Sequence, residues 1–447
     1  MKKEQFVNFL EEHILPIFTG SEIVGEEEST SRDAQVAQGL GGSILAKFNK
    51  QDDYRIIIKR IQPFKTFEVS LVKSIIEELK ELSEYTIKKE YVKKFQAFAI
   101  EKAICKAVSQ NSSDTLLELI GEITVWAQRT YEGSYATFGF IMTGKRMPKD
   151  TNPNLHFTNM LSHDFSALIS DGVNTFIEIS ANGFLTNYTT APRCNNQDMM
   201  CPFDYIKIAN ITSGSKVGVS LLKNGDILLF KDEMLVFAKK NGLWTSYSHE
   251  EIIHRLADKT KDSAEDIRKA IYLTALDTSF AKTGGCIVHL NKENIREAMK
   301  HIDLYDIFMP EYYQIKLQES LNYSFIDEQK NAERINLPYE QFIKDPKCVK
   351  ISALREIING KKFYELDRKL REELVGVDGA TIIDNDGNII SVGAIIKIEA
   401  GSTGGGRLAA TKTLSKYGVA LKISTDGSIE GYHLDKNKNK ARPLFSL

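Results

Sequence analysis

Apolar and polar residues alternate along this chain in two periods, and the switches between them lay out its elements. Spacings of three and four put Phe6, Phe9, Leu10 and Ile14 on one face, so residues 4–18 are predicted helical, with Pro16 ending the run. The same spacing recurs from Phe67 through Leu71, Ile75, Ile76, Leu79 and Leu82, from Tyr91 to Val108, and across Thr115–Ile123. Gly20–Ser31 is acidic and polar and reads as a loop. Runs at Ser43–Phe48 and Tyr54–Ile58 read as strands joined by a turn at Gln51-Asp52-Asp53. Alternation returns at Thr137–Met142 and continues through Leu155–Phe157 and His163–Ile169. Thr175–Ile179 and Phe184–Thr189 flank Ala181-Asn182-Gly183 as a hairpin. Val217–Leu222, Ile227–Phe230, Met234–Ala238 and Leu243–Tyr247 follow, separated by Asn224-Gly225, Lys231–Glu233 and Asn241-Gly242. That order spells a β-meander, with Trp244 in its core.

The second half begins with helices at Ser248 and Ser263. Ser263-Ala264-Glu265-Asp266 has the form of a capping box. Ile267, Ile271, Leu273, Leu276 and Phe280 then face a sheet that begins at Cys286. A short helix is predicted over 292–301. Tyr305, Tyr312, Tyr313 and Tyr323 crowd the next segment, as an amphipathic helix edge or a surface for stacking adenine. Ile351–Leu374 reads as helix interrupted at Asn359-Gly360. Thr381–Ile383 and Ile389–Val392 flank Asn385-Asp386-Gly387 as a hairpin. A glycine-dense loop, Gly401–Gly406, opens a helix near Arg407 that carries Leu408, Ala409, Leu414 and Tyr417 and stops at Gly418. Val419–Ile423 returns as a strand. The Lys/Asn-rich stretch Asp435–Arg442 reads as loose. No internal repeat is visible in the sequence.

Composition narrows the function. A length of 447 residues suits two or three domains with buried cores. The 58 basic residues against 60 acidic ones leave a net charge of −2, so no basic excess points to nucleic acid. Five cysteines, an odd number without paired spacing, suggest a reducing compartment, and Cys194 and Cys201 lack the second pair a zinc site needs. No apolar run is long enough to span a membrane. Met1-Lys2-Lys3-Glu4-Gln5 leads into acidic residues and not into a signal-peptide core. The expectation is a cytoplasmic protein without membrane contact. His163, His249 and His254 are not spaced as metal ligands, Lys88–Lys94 reads as a solvated face, and Tyr131-Glu132-Gly133 as a strand-entry turn or the wall of a pocket.

The glycine loop carries the chemistry. Glycines have no Cβ, so their N–H groups can approach an anion closely. A helix N-terminus adds unpaired donors and a partial positive charge. Arg407 at that terminus opposes the helix dipole unless a phosphate lies in front of it. No Gly-Lys-Ser/Thr follows, so the loop is not a Walker A motif.

Asp378-Gly379-Ala380, the hairpin, the Gly/Thr-rich loop and Arg407 followed by Ala409-Ala410 resemble the diadenylate cyclase (DAC) domain family. Upstream, Phe280-Ala281-Lys282-Thr283-Gly284-Gly285-Cys286-Ile287-Val288 stands where that family has a helix running into a hydrophobic strand. The likeness covers roughly residues 250–435. The family loop usually ends Gly-Thr-Arg-His-Arg-Ala-Ala; here the register reads Gly404-Gly405-Gly406-Arg407-Leu408-Ala409-Ala410. Both family arginines are missing from their positions, and Arg407 stands in place of the histidine.

The resemblance implies an α/β fold, a DAC-like mixed twisted sheet flanked by helices, preceded by an α+β domain with the meander. Residues 1–248 would form a sensor domain for an unknown ligand or protein, 249–435 the nucleotide-binding domain, and 436–447 a C-terminal tail. It implies a nucleotidyltransferase that condenses two ATP into cyclic di-AMP and pyrophosphate, with domains of a homo-oligomer face to face. Asp378 would be catalytic and hold Mg²⁺ or Mn²⁺; Arg407 would be catalytic. Gly379 and Ala380 would meet the adenosine, and Thr403, Gly404, Gly405, Gly406 and Ser424 the phosphates. The altered loop leaves open a protein that binds a nucleotide or cyclic dinucleotide without turnover, or a nucleotidyl enzyme with another substrate.

Overall fold

The structure is a computed structural model of the full chain, and it describes residues 2–83, 91–194, 196–257, 264–323, 337–398, 405–435 and 440–447. The chain divides into two compact units, Met1–Glu251 and Ile252–Leu447.

The first unit holds two larger sheets. Strands β1 (Glu22–Glu28), β2 (Val36–Gln38), β3 (Ile44–Ala46) and β4 (Tyr54–Lys59) form one, in the order β1-β4-β3-β2. A small ribbon joins β5 (Thr130–Tyr131) to β6 (Ser134–Tyr135). The larger sheet contains β7 (Phe138–Met142), β8 (Thr175–Ile179), β9 (Leu185–Thr190), β10 (Val217–Leu221), β11 (Ile227–Lys231), β12 (Met234–Lys240) and β13 (Leu243–Ser246). Its order is β13-β12-β11-β10-β7-β8-β9, with β7 and β8 parallel. Helices Thr66–Ser83, Val92–Val108 and Ser113–Trp126 share a core with these sheets through Leu71, Ile75, Ile104, Leu119, Phe138 and Phe140. The meander forms as expected because each turn carries a residue that tolerates positive φ: Gly225, Asp232 and Glu233, then Asn241 and Gly242. Trp244 is 8% exposed and its Nε1 donates to Glu101 Oε2 at 2.9 Å, so it is a core residue.

Two expectations fail in this unit. Gly20–Ser31 is not a loop: Glu22–Glu28 pairs along β4, with a register shift at Ile23/Gly25. The strand is exposed over most of its length, so glutamates cost it nothing, and charge protects an edge from pairing with other chains. Leu155–Phe157 and His163–Ile169 are not strands. They fall in short helical turns, Pro153–Leu155, Phe157–Leu161 and Asp164–Leu168, each too brief to show a period.

The second unit is a mixed sheet flanked by helices. Its strands are β14 (Gly285–Leu290), β15 (Ala380–Ile383), β16 (Ile389–Ala394), β17 (Gly418–Ile423), β18 (Ile429–Asp435) and β19 (Lys440–Ser446), in the order β16-β15-β14-β17-β18-β19. β14 and β15 are parallel and the other pairs antiparallel. Helix Glu265–Ala281 is buried from Ala270 to Ser279, which leaves Thr274 and Thr278 to satisfy their hydroxyls on Ala270 O and Thr274 O. Asp277 on that helix meets Arg368 in a bidentate pair, Nε–Oδ2 2.6 Å and Nη2–Oδ1 2.8 Å, with both side chains fully buried. Arg368 opens helix Arg368–Gly376, which is capped by Asp367 and leads directly to Asp378.

Corrections here are local. Helix Glu265–Ala281 begins behind Ala264, without a side-chain cap; Ser263 lies outside the described residues. Helix Gly406–Leu414 ends before Gly418, which instead starts β17; a Cβ there would lie 2.1 Å from His289 O. The end of the chain is not loose, because Lys440–Ser446 pairs with β18, so the tail expected over 436–447 contributes a strand. Two of the four tyrosines are core rather than a stacking surface: Tyr312 Oη donates to Asp384 Oδ2 at 2.5 Å, and Tyr313 packs on Tyr339 and Phe342, while Tyr305 is half-buried.

Candidate functional site

Register brings the sequence-predicted residues of the second unit to one end of its sheet. Ile287 lies opposite Thr381 on β15 and opposite Leu421 on β17. Two residues back along β14, Gly285 pairs with Ile423, and the same step along β15 reaches Gly379. Asp378, Gly284 and Ser424 therefore crown neighbouring strands.

Each position has a local reason. Gly379 has φ +112°, and a Cβ on it would lie 2.5 Å from the carbonyl carbon of Gly393. Gly393 is itself at φ +62°, where a Cβ would meet Val377 at 2.5 Å. The Asp-Gly step thus crosses β16 at backbone contact, which side chains would prevent. Ala380 follows as the first buried residue of β15. Asp378 is exposed at the rim.

Gly405 caps helix Gly406–Leu414 with φ +86° and ψ 165°, and no side chain caps that helix. Ala409 N–H is the first to find its partner in Gly405 O. The preceding turn therefore offers N–H groups at the rim, with Gly405 and Gly406 exposed. Thr403 and Gly404 lie outside the described residues.

Arg407 turns its guanidinium over the mouth of β14 and β17. A Cβ on Gly284 would stand 2.6 Å from Arg407 Nη1 and 3.2 Å from Thr425 Cγ2. Gly284, at φ +69°, gives the guanidinium its room. Among the described residues no carboxylate pairs with Arg407. Beneath it, Cys286 is pushed up to about 11 by burial, opposed by a hydrogen bond with Thr411 and the charge of Arg407. A thiol held protonated there packs and does not attack. Ser424 is half-buried and uses its backbone in the turn to Ser428. Thr425 and Gly393 were not singled out from sequence, and Gly284 entered only as part of the Gly284-Gly285 run before the hydrophobic strand.

Among the described residues no group of three His, Cys, Asp or Glu is placed to hold a metal. Asp378 alone suits an ion that shares a carboxylate with substrate phosphates, as Mg²⁺ commonly does.

Two cavities lie elsewhere. In the first unit a space of about 280 Å³ is lined by Phe67, Val108, Met200, Met234 and Phe237. Arg60 and Glu68 close one side as a bidentate pair, and Glu251 accepts the N–H groups of Ile61 and Gln62. In the second unit about 590 Å³ opens beside the hairpin turn at Asn388, between Pro310 and Gly360.

No helix among the described residues is long and apolar enough to cross a membrane. No family model, characterised protein or solved structure matches the chain.

Proposed function

We propose that the second unit binds ATP at the rim formed by Asp378-Gly379, Gly284 and the start of helix Gly406–Leu414, and cyclises it as a diadenylate cyclase. The observation that carries this reading is Arg407: a guanidinium with no carboxylate partner among the described residues, beside an uncapped helix start and over Gly284, which leads the strand next to the one that Asp378 precedes. Cations disfavour helix N-termini, so this arrangement makes physical sense when an anion bridges the guanidinium and the amides.

In this reading the first-turn amides and Arg407 hold the triphosphate, and Gly379 lets the adenosine lie against backbone. A divalent ion shared with the phosphates would be held by Asp378 and would lower the cost of charge developing on the leaving pyrophosphate. Asp378 orients the attacking 3′-hydroxyl toward the α-phosphate of a second ATP. One such rim holds one nucleotide, so cyclisation requires two rims from separate chains face to face. The first unit then acts as a sensor, for which its apolar cavity offers space for a small ligand.

A second reading has an observation of its own. One guanidinium spreads less charge than the three basic groups of the resembled family, so this rim suits nucleotide or cyclic-dinucleotide binding without turnover.

ATP and Mn²⁺ with the full chain separate the two. Cyclic di-AMP and pyrophosphate, reduced on the order of a thousandfold in Asp378→Asn, support cyclisation. Tight binding without product supports the second reading. Absence of both refutes the site.

A further inference from the structure

Residue by residue, the larger sheets of the two units pair their strands in the same way. In the first, Phe140 lies opposite Ile177 and Val219; in the second, Ile287 lies opposite Thr381 and Leu421. Carrying those matches outward predicts the neighbours of six strands in each sheet; β13 has no counterpart, and β15 carries one extra bulge, at Ala380/Ile382. Ile179↔Leu185, with a bulge before Ile179, corresponds to Ile383↔Ile389, with a bulge before Ile383. Leu221↔Ile227 corresponds to Ile423↔Ile429, and Gly218↔Phe230 to Ala420↔Tyr432. The central strand is parallel to the same neighbour and antiparallel to the other in both sheets.

The agreement reaches the turns. Gly183 donates to Ser180 O and Gly387 to Asp384 O, while Gly225 donates to Leu222 O and Gly427 to Ser424 O. Phe157 N–H reaches Gly183 O at 3.0 Å, and Phe363 N–H reaches Gly387 O at 2.8 Å. Each sheet is preceded by a long helix, Ser113–Trp126 or Glu265–Ala281, and each has a helix before its fourth strand, Ile206–Ile211 or Gly406–Leu414. Shared order alone can arise by convergence; shared register, bulge and turn bonds together are far more restrictive.

We infer that the chain is a tandem of two copies of one fold, and that the first copy has lost the anion cradle, so it is blind to nucleotide phosphates. Carrying the β10/β17 match back through the preceding helices sets Pro202-Phe203-Asp204-Tyr205 where the second copy has Gly404-Gly405-Gly406-Arg407. Three of the four changes oppose an anion. Pro202 has no N–H to offer. Asp204 places a carboxylate in the first turn. Tyr205 replaces the guanidinium and packs on Phe230, ring centroids 6.2 Å apart and 25° between planes. At the position of Asp378 the β8/β15 match places Asn174, so the first copy has no carboxylate there, and the nearest aspartate, Asp171, is spent on its own turn. Asp171 accepts the N–H groups of Val173, Asn174 and Thr175, and these bonds with that of Asn174 Nδ2 hold it well below the usual carboxylate range against the opposing effect of burial.

The inference about phosphates rests on the reading of the second unit, and the duplication does not, so the test separates them. A crystal structure of the full chain soaked with ATP and Mn²⁺ should show both sheets in the registers above and triphosphate density only at Gly405–Leu408. Registers that differ between the units, or density at Phe203–Ile206, overturn the inference. Matched registers without density at either place uphold the duplication and the blind first copy, and reject the ATP site instead. In the same preparation, the variant P202G/F203G/D204G/Y205R should raise bound ATP from one per chain to two where the wild type binds one; no gain would show that the loop is not what distinguishes the copies.

Discussion

The two larger sheets differ most where they are most comparable. At the start of the helix before the fourth strand, one unit has glycines and an arginine, the other a proline, an acid and a packed tyrosine. The strands around that point keep the same partners in both. The difference teaches that one strand pairing tolerates opposite chemistry at a helix start, and on the proposed reading those few residues decide whether that end attracts an anion. A second contrast lies deeper. The first unit ties its leading helix to the segment before β8 with a neutral bond, Trp126 Nε1 to Leu161 O at 2.9 Å. The second unit ties Glu265–Ala281 to the segment before β15 with the buried Asp277–Arg368 pair.

That contrast sets the largest expected effect. Arg368→Met strands a buried carboxylate and should lower the stability of the second unit by about 3–5 kcal/mol. Trp126→Phe loses one neutral bond and leaves a small cavity, and should cost about 1–3 kcal/mol. Denaturant unfolding followed by hydrogen exchange of peptides from each unit reads both. Equal costs would erase the contrast.

Next is acid sensitivity. His289 occupies the central-strand position that Met142 fills in the first unit, by the shared pairing with Val419 and Val217. Burial lowers the His289 pKa to about 4, and its Nε2 finds no hydrogen-bond partner among the described residues. The unfolded histidine takes up its proton first as pH falls, so stability is full above about pH 6.5 and declines as pH drops toward 4. The loss amounts to roughly 3 kcal/mol at most. His289→Met should flatten the unfolding midpoint of the second unit across that range; an unchanged acid slope would assign the loss elsewhere.

Arg407→Ala should weaken ATP binding by about 1.5–3 kcal/mol, the range of hydrogen bonds to charged groups. Tyr205→Ala, at the matched position, should leave ATP affinity unchanged by titration calorimetry. Gly379→Ala forces a Cβ against Gly393 and should cost roughly 1–3 kcal/mol of stability together with nucleotide affinity. Gly172→Ala in the first unit, where the Cβ would lie 2.6 Å from Phe138 O, should cost stability alone.

Much of the fold was legible in the sequence wherever a turn residue marked it. Asn-Gly and Asp-Gly steps announced the meander and both hairpins, and three long helices showed their apolar spacing. Glu22–Glu28 was hidden because an exposed edge strand needs no apolar face. The duplication was hidden because matched core positions exchange Phe140 for Ile287 and Met142 for His289, keeping burial but not identity. The candidate site was half legible: the glycines and Arg407 marked its helix start. The room made by Gly284 and the close crossing of Gly379 over Gly393 depend on strands brought together from distant parts of the chain.

Equilibrium dialysis of radiolabelled ATP against the full chain, wild type and Arg407→Ala, tests the central claim most directly. The account predicts one nucleotide per chain and its loss, or a sharp fall in affinity, in the variant. A bound nucleotide that the variant retains at wild-type affinity would contradict it.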